Sequence, residues 1–375
     1  MTQPPAPRSP LRARSAGDEP LQRRRLFKAA AASVVAGAGT VLVASSTRSL
    51  AQAPTAARVL PMLRAERLKP GDTIGLVSPS AAIYERDRFA IAQENLTALG
   101  FKVKEGVSAR ARHGHFAGTD AQRAADINAM FADPQVQGIV AMGGGSGATR
   151  ILHLLDYPLI QRNPKVLCGY SDITALLGAV NAKTGLVCFH GQMAASDWNA
   201  FSLDHFMRLL VGGETMQFKN PIDLAGQLTQ TKGRTQTIRP GIARGRLLGG
   251  NLTVLTTLLG TPYAPAFHGS ILFLEDVNEQ IYRIDRMLSH LRLAGVLDSL
   301  AGVVLGQFTD CKPSDTYGEL PLEDVFDDYF KPLNVPVFSG AMFGHVRQKF
   351  TLPVGLEVQM DASTGSLSLR VPAVA

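Results

Sequence analysis

The stretch KVLCGYSDITALLGAVNAKTGLVCFH (residues 165–190) decides the fold, because it contains a strand, a helix and a second strand in direct succession. The apolar run Lys165–Cys168 predicts the first strand, and helical spacing follows over Asp172–Lys183. A second apolar run, Leu186–Phe189, predicts the next strand. Strands that are joined by helices indicate a parallel sheet with helices on both faces.

The same alternation extends from this stretch towards the N-terminus. The predicted strands there are Asp72–Ser78, Phe101–Lys104 and Gly138–Met142, and the predicted helices are Glu85–Leu99, Thr119–Phe131 and Thr149–Leu155. Thr119 has the residue type and position of an N-cap. We therefore predict an α/β fold with an open, mostly parallel sheet, whose ligand crevice lies at the carboxyl ends of the strands.

The pattern becomes polar after this region and then changes in character. Residues 202–239 fit a crossing linker or hairpins, and a second set of elements begins near Gly241. Its predicted elements are a helix at Asn251–Leu259, a strand at Ser270–Leu274, a helix at Ile281–Leu293, a strand at Ala301–Gln307 and an alternating segment at Pro353–Val371. We predict an export signal at 1–53, a linker at 54–67, an N-terminal domain at 68–205, a second linker at 206–240 and a smaller α+β domain at 241–375.

The positive charge of the chain is concentrated near the N-terminus. The net charge is +7, from 38 Lys and Arg and 31 Asp and Glu, and residues 1–53 contain 8 of the basic and 2 of the acidic residues. The remaining 30 basic and 29 acidic residues leave 54–375 almost neutral. A basic surface for nucleic acid therefore loses its main support, and we predict no nucleic-acid partner.

The N-terminal segment has the features of a twin-arginine export signal. LQRRRLFK (21–28) precedes a run of small and apolar residues at 29–44. That run is shorter and less apolar than the roughly 20 residues that a membrane span needs. AQA (51–53) resembles a cleavage site, although Pro54 would hinder the peptidase and 44–46 is the alternative. We predict an exported, periplasmic protein with no stable membrane span after processing.

The cysteine and histidine patterns favour neither a disulfide framework nor a metal site. Cys168 and Cys188 lie in apolar stretches, where a thiol usually packs as a small apolar group. His113 and His115 have no carboxylate or cysteine at ligand spacing. We predict no metal and no other cofactor.

Ser171 lies in a tight turn between a strand and a helix. The chain passes from Val166–Cys168 through GYSD (169–172) directly into the helix. Such a turn exposes the hydroxyl and directs the N–H groups of the helix towards it, as in a nucleophile elbow. The motif lacks the second glycine of G-x-S-x-G, and serine is also a preferred N-cap. Spacing alone leaves both roles open.

A glycine run, GGGSG (143–147), lies between another predicted strand and helix. Its backbone N–H groups could bind an anion or form part of an oxyanion hole. The run matches neither G-x-G-x-x-G nor G-x-x-x-x-G-K-[ST], so it gives little support to a nucleotide site.

Two further candidates lie in the second half of the chain. Glu275 follows a predicted strand, where it is either functional, a solvated strand end or an ion-pair partner of Arg283 or Arg286. His345 lies in a glycine-flanked loop, where function is more common than core packing. His190 follows a strand and either lines the crevice or, as is more common, is a satisfied structural residue. Long gaps between Ser, Glu and His are compatible with a catalytic relay, but spacing does not show that they meet.

Several ordered blocks resemble the LD-carboxypeptidase family of serine peptidases, which also includes microcin C7 self-immunity peptidases. The blocks are PGDTIGLVSPS (70–80), AGTDAQRAADINAMFADPQVQGIVAMGGGSGATRIL (117–152), PKVLCGYSDITALL (164–177), FHGQM (189–193), GRLLGGNLTVL (245–255), ILFLEDVNEQIYRIDRMLSHL (271–291) and FGHV (343–346). Together they span roughly 68–360, so the resemblance is far more specific than any single motif.

The resemblance implies a catalytic triad that is divided between two domains. Ser171 of the first domain would be the nucleophile, and the second domain would supply Glu275 as the orienting carboxylate and His345 as the general base. The oxyanion hole would consist of backbone N–H groups of Asp172 and of Gly145 or, with less support, Gly144.

The resemblance also implies the substrate, a murein tetrapeptide that loses its terminal D-alanine from the L-centre of a diamino acid such as meso-diaminopimelate. It implies a homodimer and no metal. Many relatives have R-G-G-Y-G where this chain has GGGSG (143–147), so the preferred substrate stays open. The alternatives are a serine peptidase that cleaves another amide, such as a peptidyl-nucleotide antibiotic, and an exported protein that binds wall peptides without cleaving them.

Overall fold

The computed structural model describes residues 60–224, 226, 228–314, 318 and 320–375. The predicted export signal and the first part of the predicted linker at 54–67 lie outside these residues. Within the described part of the chain, no helix combines the length and the apolar character needed to cross a membrane.

Strands and helices alternate along the described chain. The strands are β1 (Thr73–Val77), β2 (Lys102–Glu105), β3 (Gly138–Ala141), β4 (Val166–Gly169), β5 (Cys188–His190), β6 (Gln217–Lys219), β7 (Gln236–Arg239), β8 (Ile242–Asn251), β9 (Ile271–Val277), β10 (Gly302–Thr309), β11 (Val337–Ser339), β12 (Leu352–Val354), β13 (Glu357–Asp361) and β14 (Ser366–Leu369). The helices are α1 (Arg86–Ala98), α2 (Asp120–Ala132), α3 (Ala148–Ile151), α4 (Tyr157–Arg162), α5 (Thr174–Thr184), α6 (Ala200–Leu210), α7 (Leu252–Thr256), α8 (Ile281–Leu293) and α9 (Leu322–Phe330).

The first sheet has the order β12-β5-β4-β3-β1-β2, and its five N-terminal strands pair in parallel. Every residue of β3 and β4 is buried, as expected for strands that are covered on both faces. The predicted open parallel sheet is therefore confirmed. The strand order reverses direction between β1 and β3, so the crevice expected for such a sheet lies outside the carboxyl ends of these strands.

One edge strand of the first sheet comes from the region predicted as the second domain. β12 pairs antiparallel with β5, so the chain returns to the first sheet after it has built most of the second one. Pro353 lacks a backbone N–H group and fits this edge position, where no strand of the described residues pairs with the outer side of β12. Sequence pattern alone did not indicate this crossing.

The second sheet has the order β6-β14-β13-β8-β9-β10-β11-β7. Its centre, β8 to β11, is parallel, and antiparallel strands flank this centre on both sides. The alternating segment predicted near the C-terminus contributes the antiparallel pair β13 and β14. The second sheet is thus mixed, which agrees with the predicted two-part α/β architecture.

Regular structure also occupies the stretch predicted as the second linker. Helix α6 extends to Leu210, and both β6 and β7 lie before residue 240. Asn199 caps α6 by accepting a hydrogen bond from Ser202 N at 3.1 Å. The sequence pattern did not predict these strands because most of their residues are polar. This composition agrees with their exposure, since β7 is half-exposed and β6 buries only its central residue.

Strand β8 was missed because its sequence, IARGRLLGGN, contains three glycines, which usually weaken a strand. At Gly249 a Cβ atom would overlap the carbonyl oxygen of Phe273 on the neighbouring strand. At Gly250 it would lie 2.5 Å from Thr174 Oγ1 at the start of α5. These glycines permit close backbone approach, which tertiary packing requires and local propensity does not report.

The N-cap of α2 supports a stability prediction. Thr119 Oγ1 accepts a hydrogen bond from Gln122 N at 3.3 Å, and Gln122 Oε1 accepts one from Thr119 N at 2.9 Å. Thr119→Ala should lower the free energy of unfolding by about 1 kcal/mol, because it removes this capping box. Urea unfolding monitored by circular dichroism measures the change.

Thr97→Ala is the matched control, since Thr97 is exposed within α1 and does not cap it. This control should change the free energy of unfolding by less than about 0.5 kcal/mol. Equal effects of the two substitutions would contradict a capping role for Thr119.

Candidate active site

Ser171 lies directly beyond the carboxyl end of β4 in a strained backbone conformation. Its φ is +63°, in the left-handed region that residues with a side chain rarely occupy. A single 3₁₀ turn, Ser171–Ile173, leads from it into α5, and Tyr170 occupies the N-cap position without a side-chain cap. The turn therefore resembles a nucleophile elbow rather than an N-cap at Ser171. Strain of this kind is concentrated at functional sites.

The structure brings Ser171, His345 and Glu275 together through two hydrogen bonds. His345 Nε2 lies 2.9 Å from Ser171 Oγ, and His345 Nδ1 lies 2.7 Å from Glu275 Oε2. Glu275 is fully buried, which excludes the solvated strand end considered from sequence. The His345 side chain is 19% exposed, so one end of this chain is accessible from solvent.

Glu275 and His345 come from two parts of the second sheet that one strand, β10, separates. Glu275 is on β9, and the loop that carries His345 follows β11. Thr309 Oγ1, at the end of the intervening β10, donates to the His345 carbonyl at 3.1 Å. Gly344 has φ +105°, and a Cβ there would lie 2.7 Å from Glu275 Oε2. A glycine before His345 is thus required for the carboxylate to reach the ring.

The glycine run 143–147 passes close to the Ser171 hydroxyl. A Cβ on Gly144 would lie 3.0 Å from Ser171 Oγ and 3.6 Å from Asp172 N. Gly145 has φ +111°, and a Cβ there would lie 2.5 Å from Ala81 Cβ. Gly144 therefore packs against the Ser171 hydroxyl and Asp172 N, whereas Gly145 packs against Ala81.

The Asp172 side chain connects three loops, a role that the sequence analysis did not identify. Its Oδ2 accepts a hydrogen bond from Ser80 Oγ at 2.6 Å and one from Ala148 N at 2.8 Å. Ser80 follows β1, and Ala148 begins α3 after the glycine run. The carboxylate thereby fixes the serine turn relative to the glycine run. These segments follow the carboxyl ends of β1, β3 and β4, and this shared position in the sequence pattern could have indicated that they meet.

The buried carboxylate of Asp276 organises the neighbouring corner of the second sheet. Its Oδ1 accepts from Asn251 Nδ2 at 3.0 Å, and its Oδ2 accepts from Thr253 N at 2.9 Å and Thr253 Oγ1 at 2.8 Å. Burial is the main cause of a raised pKa for Asp276. Asn251 N in turn donates to Thr174 Oγ1 at 3.0 Å, which connects this corner to α5. The sequence pattern did not identify Asp276, Asn251 or Thr253 as part of this arrangement.

His190 lies beneath the site, and the expectation that it is a satisfied structural residue is wrong. It is 1% exposed, and within the described residues neither of its ring nitrogens has a hydrogen-bond partner. Its ring packs edge-on against Tyr170, Phe273 and Phe343. Burial, with smaller contributions from His345 and Lys349, lowers the pKa of His190 to about 3. The imidazole is therefore neutral at neutral pH.

The remaining candidates lie apart from these contacts. Cys168 and Cys188 are buried free thiols whose pKa values burial raises, so both pack as apolar groups. His115 Nε2 lies 3.2 Å from Ser146 Oγ, at the exposed rim of the glycine run. Across the described residues, no group of three or more His, Cys, Asp or Glu side chains has the arrangement of a metal site.

Two family models match the chain, and each matched range contains part of this site. The LD-carboxypeptidase N-terminal domain matches residues 74–191, and the LD-carboxypeptidase C-terminal domain matches residues 244–360.

The chain belongs to the LD-carboxypeptidase family. Similar proteins include the "Probable murein peptide carboxypeptidase" of Bacillus subtilis (strain 168), which is 36% identical over 296 residues, 79% of this chain and 91% of that protein. The murein tetrapeptide carboxypeptidase of Pseudomonas aeruginosa is 32% identical over 306 residues, 77% of this chain and 93% of that protein.

A solved structure extends the similarity to the fold. The structure of MccF in complex with glutamyl sulfamoyl guanosine has a TM-score of 0.75 and 26% sequence identity, and the match covers 84% of this chain and all of that one. The family, its two-domain α/β architecture and a peptidase activity are therefore established for this LD-carboxypeptidase family member.

The burial of neutral His190 predicts how stability depends on pH. The unfolded chain binds a proton at this histidine below about pH 6.5, whereas the folded chain does so only near pH 3. Acidification from pH 6.5 to 4.5 should therefore favour unfolding, with a contribution from His190 of up to about 1.4 kcal/mol per pH unit. His190→Phe should remove this contribution. Urea unfolding at pH 6.5, 5.5 and 4.5 measures it.

The same substitution at His290, an exposed residue of α8, is the control. His290→Phe should retain the pH dependence of the wild type. If His190→Phe also retains it in full, the buried neutral state of His190 is wrong.

Proposed function

We propose that this protein is a serine LD-carboxypeptidase that releases the terminal D-alanine from murein tetrapeptides, with Ser171, His345 and Glu275 as its catalytic triad. The continuous hydrogen-bond chain from Ser171 through His345 to Glu275 is the observation that carries the proposal. Family membership and the murein peptide carboxypeptidases among its relatives support the substrate class.

The first step is attack by Ser171 on the terminal amide. Ser171 Oγ adds to the carbonyl carbon as its proton passes to His345 Nε2. The 2.9 Å separation of these atoms suits this transfer. The strained turn holds the hydroxyl beyond the end of β4, where a peptide chain can approach it.

Glu275 orients His345 and stabilises its protonated form. Its Oε2 accepts the hydrogen of Nδ1, which leaves Nε2 as the acceptor for the serine proton. Because Glu275 is fully buried, water does not weaken this interaction. In this type of triad the proton stays on the histidine and is not passed to the carboxylate.

Backbone N–H groups beside Ser171 would stabilise the oxyanion. Asp172 N and the backbone N–H groups of Gly144 and Gly145 are the donors that we assign to it. Gly144 lies beside the Ser171 hydroxyl and Asp172 N, whereas Gly145 packs against Ala81. The hydrogen bonds that Asp172 Oδ2 accepts hold the serine turn and the glycine run in register. This preorganisation reduces the cost of arranging the donors during the reaction.

The tetrahedral intermediate collapses when His345 donates its proton to the amide nitrogen. The C–N bond breaks, D-alanine leaves and the tripeptide remains as an ester of Ser171. His345 then takes a proton from a water molecule as the water oxygen bonds to the ester carbon. The bond from this carbon to Ser171 Oγ breaks as His345 returns the proton to Oγ, which releases the tripeptide and restores the hydroxyl. Each step uses only groups of the described site and water.

Mass spectrometry of a diaminopimelate-containing tetrapeptide, incubated with the purified protein and a chelator, tests the proposal. We expect the wild type to remove one alanine, and Ser171→Ala to be slower by at least about 10³-fold because the nucleophile is lost. Ser363→Ala, at the exposed turn between β13 and β14, is the matched control and should retain wild-type turnover.

Wild-type turnover by Ser171→Ala would exclude Ser171 as the nucleophile. An intact tetrapeptide with the wild type would exclude this substrate. Stoichiometric binding of the intact peptide would then favour the alternative of a wall-peptide binding protein.

A second candidate function is cleavage of a peptidyl-nucleotide amide. It is favoured by GGGSG (143–147), which replaces the Arg and Tyr of many relatives, and by the structural similarity to MccF in complex with glutamyl sulfamoyl guanosine. In a competition assay, an acyl-sulfamoyl nucleotide should inhibit tetrapeptide hydrolysis only weakly if the murein peptide is the preferred substrate. Stronger binding of the nucleotide than of the tetrapeptide would favour the second function.

Export by a twin-arginine signal, a periplasmic location and a homodimer stay predictions. The export signal lies outside the described residues, and the dimer comes from family resemblance. In the periplasm, the proposed activity would act on peptides of the intact or newly released wall.

A further inference from the structure

Lys349 is a buried cation beside the proposed catalytic residues. The residue is 5% exposed, and its Nζ lies 3.9 Å from the centroid of the Tyr170 ring. The same Tyr170 ring lies 5.0 Å from the His345 ring, centroid to centroid. Lys349 and His345 both contribute to the lowered pKa of His190, which lies beneath them. The ammonium group is thus part of the cluster around the proposed general base.

Among the described residues, Lys349 has no ion-pair partner and its ammonium group donates no hydrogen bond to a protein atom. The other buried lysine, Lys165, differs because its Nζ donates to the carbonyl oxygens of Met130 and Asp133. A lysine is rarely buried without a partner, because desolvation of its charge is costly. The Tyr170 ring is the contact that the structure shows for the ammonium group. The ammonium nitrogen is not among the fully enclosed polar atoms that lack a partner, so an anion that enters the site can approach it.

The backbone fixes Lys349 in place. Its N–H donates to Ser202 Oγ at 3.0 Å, which attaches the segment after His345 to α6. Arg347, two residues earlier, is the nearest other cation in sequence, but it is 79% exposed and its Nε lies 2.7 Å from Asp197 Oδ2. Within the part of the chain that the structure describes, Lys349 is therefore a positioned cation without a protein anion, whereas Arg347 pairs with Asp197.

The proposed reaction places a negative charge on this side of the site. His345 Nε2 donates its proton to the leaving nitrogen, so the leaving residue must lie beside His345. In a carboxypeptidase that residue is the last of the chain, and one carbon separates its nitrogen from its carboxylate. The substrate carboxylate therefore lies near the cluster of His345, Tyr170 and Lys349.

We propose that Lys349 binds the terminal α-carboxylate of the substrate and so restricts cleavage to the last residue of a peptide. This inference rests on the proposed carboxypeptidase function. A charge-assisted hydrogen bond in a partly desolvated site is strong enough to distinguish a carboxylate from a neutral group. The Tyr170 ring, which contacts both Lys349 and His345, aligns the bound carboxylate with the proton donor.

A pair of matched substrates tests this role in the full chain. One is the diaminopimelate-containing tetrapeptide with its free terminal carboxylate, and the other is the same peptide with a terminal carboxamide. We expect the wild-type kcat/KM to be higher for the acid by about 10- to 100-fold, the range for a hydrogen bond to a charged group. Lys349→Met should lower kcat/KM for the acid by a similar factor and leave the amide almost unchanged, so the ratio approaches one. Lys349→Arg should retain a preference for the acid.

Lys183→Met is the matched control, because Lys183 also places its ammonium over a tyrosine ring, 5.4 Å from the centroid of Tyr263. It lies near the C-terminal end of α5, about 13 Å along the helix from its first residue, Thr174. This variant loses a cation–aromatic contact away from the site. It should retain the wild-type ratio of acid to amide.

The ratio of kcat/KM for the acid to kcat/KM for the amide distinguishes binding of the carboxylate by Lys349 from a purely structural role. The proposal is supported if Lys349→Met loses the preference for the acid and Lys183→Met retains it. If Lys349→Met slows acid and amide equally, or if the wild type shows no preference for the acid, the proposal is wrong. If the wild type cleaves the acid and Ser171→Ala does not, the carboxypeptidase function stands whatever the result at Lys349. If the wild type cleaves neither peptide, both the carboxypeptidase function and the role of Lys349 are wrong.

Product inhibition gives a readout that does not depend on a folded variant. D-Alanine should inhibit wild-type hydrolysis of the acid at least about tenfold more strongly than D-alaninamide, because only D-alanine carries the carboxylate. Equal inhibition by the two compounds would overturn the proposal even if Lys349→Met failed to fold.

Discussion

The close packing of Gly250 against Thr174 is the constraint on which the site depends. It joins β8 of the second sheet to the first turn of α5, the helix that follows Ser171, and Asn251 N strengthens the junction through its hydrogen bond to Thr174 Oγ1. Ser171 follows β4 of the first sheet, whereas Glu275 is on β9 of the second sheet and His345 is on the loop that follows β11. Two hydrogen bonds of 2.7 and 2.9 Å can span this junction only if the sheets keep a fixed separation. A side chain larger than hydrogen at Gly250 would change that separation.

Three buried carboxylates have separate tasks around this junction. Asp172 holds the serine turn against the glycine run, Asp276 holds the β8 corner, and Glu275 contacts His345. Each accepts hydrogen bonds from different donors, so the acidic groups do not compete for the same partner. Among the described residues, the neighbouring cation Lys349 has no carboxylate partner, and this difference is what suggests a carboxylate of the substrate.

Local pattern predicted the elements of the first sheet well and those of the crossing region poorly. The runs around β1, β3 and β4 are continuous and apolar because these strands are buried on both faces. By contrast, β8 is rich in glycine and β6 and β7 are mostly polar, so their pairing depends on neighbours that are distant in sequence. The edge position of β12 is likewise set by contact with β5, about 160 residues earlier.

The sequence by itself determined the class of the fold, the turn at Ser171 and, through family resemblance, the three residues proposed for catalysis. Strand and helix periods are local properties, and a motif identifies residues without reference to distance. Only the tertiary structure decided that Ser171, His345 and Glu275 form one hydrogen-bond chain and that the Asp172 side chain connects the loops around Ser171. It also decided that His190 is buried with no hydrogen-bond partner among the described residues. The reason is physical: hydrogen bonding and desolvation depend on separations of a few ångströms between segments that lie up to 174 residues apart.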